Sequence, residues 1–424
     1  MTLVSELELP SFDSTDPSMR GDRFHDSMRE LRSHGWLARD PYGYVALDRE
    51  SAEFFLRTRS AIFPGMKIAE IFGVTEGPLY EEIRWNILHI NGPDHTRLRS
   101  LVNPALSPRA VERYRPAMKQ FLQRLLAQAT SSSRASNGGG GEEAAVRCDF
   151  VETFAKPYPS LVIADVMGAP LEDAPRLHHW SNWIQRQFDA GSMATERDGI
   201  EQAVEEFYDY AEALVRARRE SAGDDLVSKL IEAEEIDTHP PRLSDVECIN
   251  LVFNVLVGGV DTSQSQLAHA IRLLAEHPDQ WALLAEDPSL AERAVEEALR
   301  YEPITPFTAR IMTEDVSYRD VTFPEGTIVL VCAFTGNRDL SEDERGEGGP
   351  ERFDITADRG RARALTFGAG VHYCLGANLA RLELQEGLAF LAKNLKGLEL
   401  DGEPVYESVS GIYGLAELPI RFSV

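Results

Sequence analysis

Cysteine is scarce in this 424-residue sequence, which contains only Cys148, Cys248, Cys332 and Cys374. The four lie far apart and form no Cys-x-x-Cys pair, so the sequence excludes a disulfide framework and indicates a reducing compartment. Basic residues are also few: 43 Lys and Arg stand against 69 Asp and Glu, a net charge of −26. A surface this acidic repels nucleic acid and anionic membranes, and we expect neither as a partner.

Long hydrophobic runs are missing as well. No apolar run approaches the ~20 residues of a membrane-spanning helix. Residues 1–8 lack the basic segment and the apolar core of a signal peptide. A hydrophobic content of 43% is nevertheless enough for a substantial core. The composition therefore predicts a folded, cytoplasmic protein.

Most of the chain has a helical pattern, interrupted by a few short strand patterns. Residues 1–22 are polar and contain proline, which predicts a loosely held, flexible arm before a single domain over 23–424. Residues 129–146 are rich in Ser and Gly and predict an inserted flexible surface loop in that domain. Residues 36–47 predict a short hairpin. Residues 62–90 are apolar and punctuated by glycine, as in functional loops.

The most informative segment is residues 367–376, which read Phe-Gly-Ala-Gly-Val-His-Tyr-Cys-Leu-Gly. It precedes a helical pattern that begins near Ala377. The glycines permit tight backbone turns, and Gly376 permits the close approach of a flat group. A cysteine at a helix N-terminus is expected to have a lowered thiol pKa, and thiolate is the axial ligand that haem iron accepts. From these residues alone, a buried structural cysteine remains the alternative for Cys374.

A second unusual segment lies inside a predicted long helix that begins near Ser244 and ends near Glu276. Its first half is apolar nearly all round and should be buried. Two adjacent glycines, Gly258 and Gly259, each cost roughly 1 kcal/mol against alanine in a helix. Asp261 follows them, and a buried carboxylate needs a partner. The pattern indicates either a functional distortion or a close helix crossing.

Two further pairs are ordinary by themselves. His95 and Arg99 are four residues apart and therefore share one helical face, where both side chains can donate to an anion. Glu297 and Arg300 are three apart, as in many exposed ion pairs. Without the other motifs, each pair would predict only a solvated helix face.

Taken together, these motifs resemble those of the cytochrome P450 family. Residues 367–376 match its haem-binding signature at every fixed position, and 258–262 match its oxygen-activation motif, Ala/Gly-Gly-x-Asp/Glu-Thr. Residues 297–300 match its Glu-x-x-Arg motif, and 95–99 match its His-x-x-x-Arg pair. The resemblance extends from about residue 25 to the end of the sequence.

The resemblance implies a fold that is mainly α with small β-sheets, in a single large domain. It implies haem b as the cofactor, with Cys374 as the axial thiolate ligand. His95, Arg99, Arg310 and His372 are expected to bind the haem propionates, with Arg310 at the start of a strand. The remaining expected cofactor contacts are Phe367, Gly368 and Gly376. Glu297, Arg300 and Arg352 are expected to form a charge network that supports folding.

The implied reaction is a monooxygenation, in which one atom of O2 enters a C–H or C=C bond of a small, mainly apolar substrate. Thr262 would hydrogen-bond to the dioxygen, and Asp261 would pass protons towards it. The family places a substrate pocket at Trp85, Leu88, Asn254, Val257, Gly258, Phe307, Ile412 and Tyr413. Asn254 is expected either to contact a polar group in that pocket or to bond only to nearby backbone.

Electrons are expected from a separate ferredoxin and ferredoxin reductase. The expected docking surface is a basic cluster on an acidic body, unless these residues merely pair with neighbouring carboxylates. Its members are Arg109, Arg113, Arg115, Lys119, Arg359, Arg361 and Arg363. Two other functions remain open: a peroxide-driven peroxygenase, which Asp261 and Thr262 disfavour, and a non-catalytic haem-binding sensor.

Overall fold

Helices make up most of the chain in the computed structural model, which describes residues 1–136, 145–234, 243–341, 348–359 and 363–424. The helices are α1 Gly21–His34, α2 Arg49–Arg57, α3 Met66–Ile71, α4 Pro78–Trp85, α5 Gly92–Val102, α6 Pro108–Val111, α7 Arg115–Ser136, α8 Pro157–Met167, α9 Ala174–Gln185, α10 Ala190–Thr195, α11 Arg197–Glu220, α12 Leu226–Glu234, α13 Asp245–Gly258, α14 Asp261–Glu276, α15 Pro278–Glu286, α16 Ala291–Tyr301, α17 Ala333–Gly336 and α18 Ala377–Asn394.

The strands are short. They are β1 Thr2–Leu3, β2 Leu37–Asp40, β3 Gly43–Ala46, β4 Ala61–Ile62, β5 Val146–Asp149, β6 Phe307–Met312, β7 Val316–Tyr318, β8 Val321–Phe323, β9 Ile328–Cys332, β10 Lys396–Leu400, β11 Val405–Tyr406, β12 Leu415–Glu417 and β13 Pro419–Ser423. The largest sheet has the order β2-β3-β9-β6-β4 and includes the predicted hairpin as β2 and β3. The predicted fold class, mainly α with small sheets, is therefore confirmed.

The strand β6 carries Arg310 at its centre, not at its start as the sequence had suggested. Arg310 pairs in register with Val329 of β9, and its side chain is 3% exposed. Pro303 and Pro306 precede residues 307–309, and proline disfavours strands. The predicted strand therefore began at Arg310, three residues later than the observed one. Its position inside the sheet fixes this guanidinium in the protein interior.

The long central helix is broken where the two glycines lie. Helix α13 ends at Gly258 and α14 begins at Asp261. A Cβ on Gly259 would lie 2.6 Å from the Cδ1 of Ile163, whereas a Cβ on Gly258 would meet nothing within 4 Å. Gly259 is therefore needed for helix packing, and Gly258 leaves open space beside the helix.

The segment Asp245–Glu276 is long and apolar enough, by length and composition, to cross a membrane. Within the described residues it is the one helical segment with that property. However, 56% of its most apolar window is buried inside the protein. This burial is what the core helix of a globular domain shows, so the segment gives weak support to a membrane span.

The N-terminal residues differ from the loosely held arm expected over 1–22. Strand β1 pairs in parallel with β8, joining Thr2 to Val321. Val4 is 2% exposed and Phe12 is 5% exposed. The Phe12 ring packs against that of Phe307, with centroids 5.5 Å apart. These apolar anchors fix a segment whose overall composition is polar.

The Ser- and Gly-rich segment expected to form a flexible loop over 129–146 also differs at both ends. Helix α7 continues to Ser136, and β5 begins at Val146 in a sheet with β13 and β10. Ala129 is 7% exposed, so the helix still contributes to the core where the loop was expected to begin. Residues 137–144 lie outside the described residues. The expected loop over 62–90 likewise contains α3 and α4.

The charge network predicted around Glu297 forms, but with a different third arginine. Arg300 donates to both carboxylate oxygens of Glu297 at 2.8 Å. The Arg359 side chain donates to the same carboxylate, its Nη2 lying 2.8 Å from Oε1. Arg352 instead contributes its backbone carbonyl, which accepts from Arg300 at 3.0 Å, while its own side chain faces Asp354. The expectation for the Arg352 side chain is therefore wrong.

Candidate active site

The cysteine loop is a tight turn that places one thiol at the base of α18. The backbone N–H of Cys374 donates to the carbonyl oxygen of Phe367 at 2.9 Å, which closes the turn. Gly368 and Gly370 have φ values of +68° and +73°, in the left-handed region that favours glycine. A Cβ on Gly370 would also collide with the carbonyl of Leu56 in α2. The loop therefore needs its glycines to present the cysteine.

Burial raises the pKa of the Cys374 thiol above its ordinary value, which differs from the lowered pKa expected at a helix N-terminus. The backbone N–H of Gly376, the charges of Arg99 and Arg381 and the N–H of Ala377 all act in the opposite direction. Desolvation outweighs them in the protein alone. Ionisation of the thiol is thus favoured chiefly by a cationic partner such as a metal ion.

Next to this loop lies a group of buried nitrogen side chains without counter-charges. Among the described residues, neither Arg99 nor Arg310 has a carboxylate within ion-pair distance. Arg99 donates to the carbonyl oxygen of Tyr373 at 2.7 Å, and Arg310 donates to that of Ala309 at 2.8 Å. Burial lowers the pKa of Arg310 to about 10. Buried guanidinium groups in this state are complementary to an anion.

Two histidines complete the same group. The rings of His95 and His372 lie with centroids 4.2 Å apart. The Nε2 of His95 and the Nδ1 of His372 are buried and have no hydrogen-bond partner in the described structure. Burial lowers the pKa of His95 to about 4 and that of His372 to about 3. Both rings are therefore neutral at pH 7. The Nε2 of His372 donates its N–H to the Oδ1 of Asn91 at 3.1 Å, so its Nδ1 is an acceptor unless the ring gains a proton.

A cavity of about 470 Å³ connects these groups with the broken central helix. Its wall contains fourteen of the residues predicted from the sequence. They are Leu88, Arg99, Asn254, Val257, Gly258, Thr262, Phe307, Arg310, Phe367, Gly368, His372, Cys374, Gly376 and Ile412. Residues that are distant in sequence, and predicted for different roles, thus share one space.

Four predicted residues do not line the cavity. His95 lies behind His372, and Asp261 is turned away behind Thr262. Trp85 ends α4 with its ring centroid 5.6 Å from the Cζ of Arg84, whereas Glu82 and Asn86 on either side of it line the cavity. Tyr413 is 0% exposed, stacks on Tyr406, and accepts a hydrogen bond from the N–H of Gly21 at 2.8 Å. The structure therefore does not place Trp85 and Tyr413 in the cavity wall, where their substrate contacts were expected.

At the helix break, the Thr262 hydroxyl lies in the cavity wall and the Asp261 carboxyl lies outside it. The Thr262 hydroxyl donates to the carbonyl oxygen of Gly258 at 2.7 Å and faces the cavity. Asp261 accepts from the amide of Asn182 at 3.3 Å, and burial raises its pKa above the ordinary value. A carboxyl group that holds its proton can donate it.

Asn254 bonds to nearby backbone and also keeps an unpartnered amide nitrogen at the cavity. Its Oδ1 accepts from the backbone N–H of Ile87 at 2.9 Å, which ties α13 to the segment after α4. Its Nδ2 has no partner among the described residues, and the side chain lines the cavity. The amide oxygen is therefore bonded within the protein, and the Nδ2 group remains available as a donor to a bound molecule.

Several polar residues of the site were missed by the sequence analysis. Behind Asp261 lie His178, which bonds Gln264 at 2.8 Å, and Glu407, whose pKa burial raises to about 7. In the cavity wall lies Glu82, which is 4% exposed. A signal for Glu82 exists in the sequence: it is three residues after Leu79 and precedes Ile83, so it shares their buried face. The other two are brought in by long-range contacts that no local pattern indicates.

The residues of this cavity fit a flat, anionic cofactor that carries a soft metal ion. Gly368 and Gly376 leave open space where any Cβ would project. The orphaned nitrogens of His95 and His372 and the unpaired guanidinium groups of Arg99 and Arg310 match carboxylate groups. The Cys374 thiol supplies the ligand that haem iron accepts. The geometry therefore agrees with the haem that the sequence resemblance implied.

Comparison with known proteins gives the same answer. A family model described as Cytochrome P450 matches residues 79–407. The luteothin monooxygenase of Streptomyces thioluteus is 34% identical, covering 99% of this chain and 98% of that protein. The mycinamicin IV hydroxylase/epoxidase of Micromonospora griseorubida is 33% identical, covering 76% and 75%. The solved structure of CalO2 superposes with a TM-score of 0.85 at 30% identity, covering 98% of this chain and 99% of that one.

The luteothin monooxygenase and the CalO2 structure match nearly the whole chain, and the site holds the features of a haem-thiolate enzyme. The chain therefore belongs to the cytochrome P450 family and is a bacterial-type monooxygenase whose cofactor is haem with a cysteine thiolate ligand.

Proposed function

We propose that this P450 inserts one oxygen atom from O2 into a C–H or C=C bond of a small, mainly apolar molecule bound beside Thr262. One observation carries the proposal: a single cavity joins the Cys374 thiol, the Thr262 hydroxyl and three nitrogen side chains that have no carboxylate partner among the described residues, those of Arg99, Arg310 and His372. Haem, when bound, supplies the oxidising chemistry. Product formation under O2, with reductant and no added peroxide, tests the proposal against the peroxide-driven alternative.

Cys374 holds the haem iron in this proposal, and the nitrogen side chains hold the propionates. Arg99 and Arg310 provide permanent charge, and neutral His95 provides an N–H donor. His372 already donates its Nε2–H to Asn91, so it would donate to a propionate through Nδ1 once the ring is protonated. Gly368, Gly376 and Phe367 shape the surface against which the ring would lie. Arg381 lies 4.6 Å above the Phe367 ring and donates to the Tyr373 hydroxyl at 2.9 Å, which keeps the loop in place.

Protons reach the oxygen through the helix break. Asp261 is the proton carrier, because burial keeps it protonated at higher pH than an exposed aspartate. Thr262 positions the proton at the cavity side through its hydroxyl, which already points there. Asn182 of α9 donates to the Asp261 carboxyl and orients it.

We expect Thr262→Ala to retain haem and substrate but to lose product per electron consumed. The hydroxyl is needed only after O2 binds, so electrons then leave as hydrogen peroxide. The loss in coupling should be on the order of 10²-fold, the usual contribution of one proton-transfer group. Product and peroxide are measured against reductant consumed. Thr262→Ser keeps the hydroxyl and should remain coupled; equal coupling in the alanine variant would remove Thr262 from the mechanism.

Electrons are supplied by a separate ferredoxin and its reductase, and the reaction takes place in the cytoplasm. The docking surface lies at the cysteine loop, where Val371, three residues before Cys374, is 69% exposed. Much of the basic cluster expected there is neutralised: Arg113 pairs with Asp224, Arg115 and Lys119 with Glu386, and Arg359 with Glu297. Arg361 lies outside the described residues.

Arg363 remains an exposed basic residue close to the loop. Arg49 in α2 donates to its carbonyl oxygen at 2.8 Å, and the same helix contacts Gly370. We expect Arg363→Glu to slow the first electron transfer from an acidic ferredoxin, because it reverses a charge in the contact surface.

The rate should also fall as salt rises, since exposed charges are screened over ~10 Å at 0.1 M. Stopped-flow reduction measures it, and Arg216→Glu, the same charge reversal on the exposed face of α11, is the control. A rate insensitive to salt and to Arg363→Glu would place the docking surface elsewhere.

A further inference from the structure

Glu82 is a buried carboxyl group in the wall of the substrate cavity. It lies on α4 with 4% of its surface exposed, and it shares the cavity with Thr262 and Cys374. Its neighbour Glu81 is on the opposite side of the helix, where the side chain is 55% exposed and faces Arg84. The two adjacent glutamates therefore have different environments, and only Glu82 can meet a bound molecule.

The carboxyl group of Glu82 is only half satisfied. Its Oε1 accepts from the amide of Asn86 at 2.6 Å. Its Oε2 is buried and has no hydrogen-bond partner within the described structure. No Lys, Arg or His of the described residues forms an ion pair with it. The side-chain amide of Gln187 approaches the carboxyl group as a second hydrogen-bond donor and lowers its pKa. The contact does not reach hydrogen-bonding geometry, so Gln187 Nε2 and Glu82 Oε2 both remain available to a bound molecule.

A carboxyl group with a purely structural role would be paired on both oxygens, because desolvating it is expensive. Glu297 in this protein shows that pattern, with two arginines on its carboxylate. Burial of Glu82, by contrast, raises its pKa to about 7 without any compensating cation. The cavity wall includes the apolar side chains of Ile71 and Phe188. The wall's second carboxyl group, Glu383 on α18, differs because it interacts with the Ser263 hydroxyl.

We propose that Glu82 is the counter-ion for a protonated amine on the substrate, whose remainder is apolar. The proposal rests on the function proposed above and names the substrate class for that same cavity. The free Oε2 accepts the ammonium N–H, and the low dielectric of the cavity strengthens the pair. Because the nitrogen is then held at one end of the cavity, the carbon presented to the oxidant is set by its distance from that nitrogen.

Equilibrium dialysis against two matched ligands tests the proposal. N,N-dimethyldodecylamine is cationic at pH 7.5, roughly the pH at which half or more of Glu82 is ionised. N,N-dimethyldodecanamide has the same chain and is neutral. Wild-type protein should bind the amine at least about tenfold more tightly than the amide, which is the effect of ~1.4 kcal/mol.

Glu82→Gln should remove that preference and leave the amide affinity unchanged, because the glutamine keeps the shape and the bond to Asn86. Glu81→Gln removes the same charge from the outer face and should preserve the preference, which controls for general attraction to an acidic protein. If Glu82→Gln fails to bind either ligand, Glu82→Asp decides: a retained preference supports the proposal, and a lost one overturns it.

Equal affinities in wild type, no amine binding at all, or a preference that survives Glu82→Gln would overturn the proposal. Dialysis does not depend on the haem spectrum or on turnover. A failure of amine selectivity is therefore distinguishable from a failure of the monooxygenase assignment, which is read from the spectrum and from product formation.

Discussion

Cys374→His is expected to abolish the absorption band that marks a thiolate ligand in the reduced, carbon monoxide-bound protein, and monooxygenase turnover with it. Cys374 supplies the one thiol that faces the cavity among the described residues. An imidazole can hold haem iron but does not donate the electron density that favours O–O cleavage. Turnover should fall below detection even where haem is retained.

The control is Cys148→Ala. Cys148 lies in β5, and burial raises its pKa to about 11, so it stays a thiol far from the cavity wall. The variant should keep both the band and the turnover. A surviving thiolate band in Cys374→His would mean that another residue ligates the iron, and the assignment of the whole loop would be wrong.

The sequence alone predicts those features of the site that depend on short motifs. Residues 367–376 need glycine at two left-handed positions and a cysteine directly before a helix, and each need is visible in the local sequence. Gly258 and Gly259 likewise indicate a distortion of the helix, and the structure has a break there. Local backbone requirements leave marks on residue type, which is why these predictions succeeded.

Long-range contacts leave no such marks. The family resemblance implied a pocket position for Tyr413 beside Ile412, yet its hydroxyl instead accepts a hydrogen bond from the N–H of Gly21, which is 392 residues away. The N-terminal residues were expected to be loose because they are polar on average, although Val4 and Phe12 anchor them. The average polarity of a segment does not show that two of its apolar residues are buried. Adjacent residues such as Ile412 and Tyr413 also point their side chains in different directions.

The third arginine of the Glu297 network is another long-range contact that the sequence did not predict, and its identity can be tested by mutation. The resemblance pointed to Arg352, whereas the side chain on Glu297 belongs to Arg359. Arg359 is 12% exposed in its side chain and Arg352 is 49% exposed. We expect Arg359→Ala to destabilise the protein more than Arg352→Ala, which removes an exposed and weakly paired group.

Removing the carboxylate itself is expected to have the largest effect on stability. Glu297→Ala removes the carboxylate that Arg300 and Arg359 share and frees the N–H of Asp354, which donates to Glu297 at 3.0 Å. Breaking one partner out of a buried ion pair costs about 3–5 kcal/mol. The variant should lose haem on purification or melt well below the wild type.

Acid should have a related effect on the wild type. Burial alone would raise the pKa of Glu297, but hydrogen bonds and charge from Arg300, and then from Arg359, lower it below 4.5. A group with a lowered folded-state pKa contributes stability above its unfolded pKa and loses it as the pH falls through the folded value. This contribution should thus be intact at neutral pH and vanish only below about pH 4.5.

Chemical denaturation of the haem-loaded protein measures both effects, with Glu292→Ala on the exposed face of the same helix as the control. The control should change the free energy of unfolding by less than about 0.5 kcal/mol. A Glu297→Ala loss no larger than that of Glu292→Ala would contradict the network. A larger loss of stability in Arg352→Ala than in Arg359→Ala would also contradict it, because that order would indicate that the Arg352 side chain is the partner of Glu297.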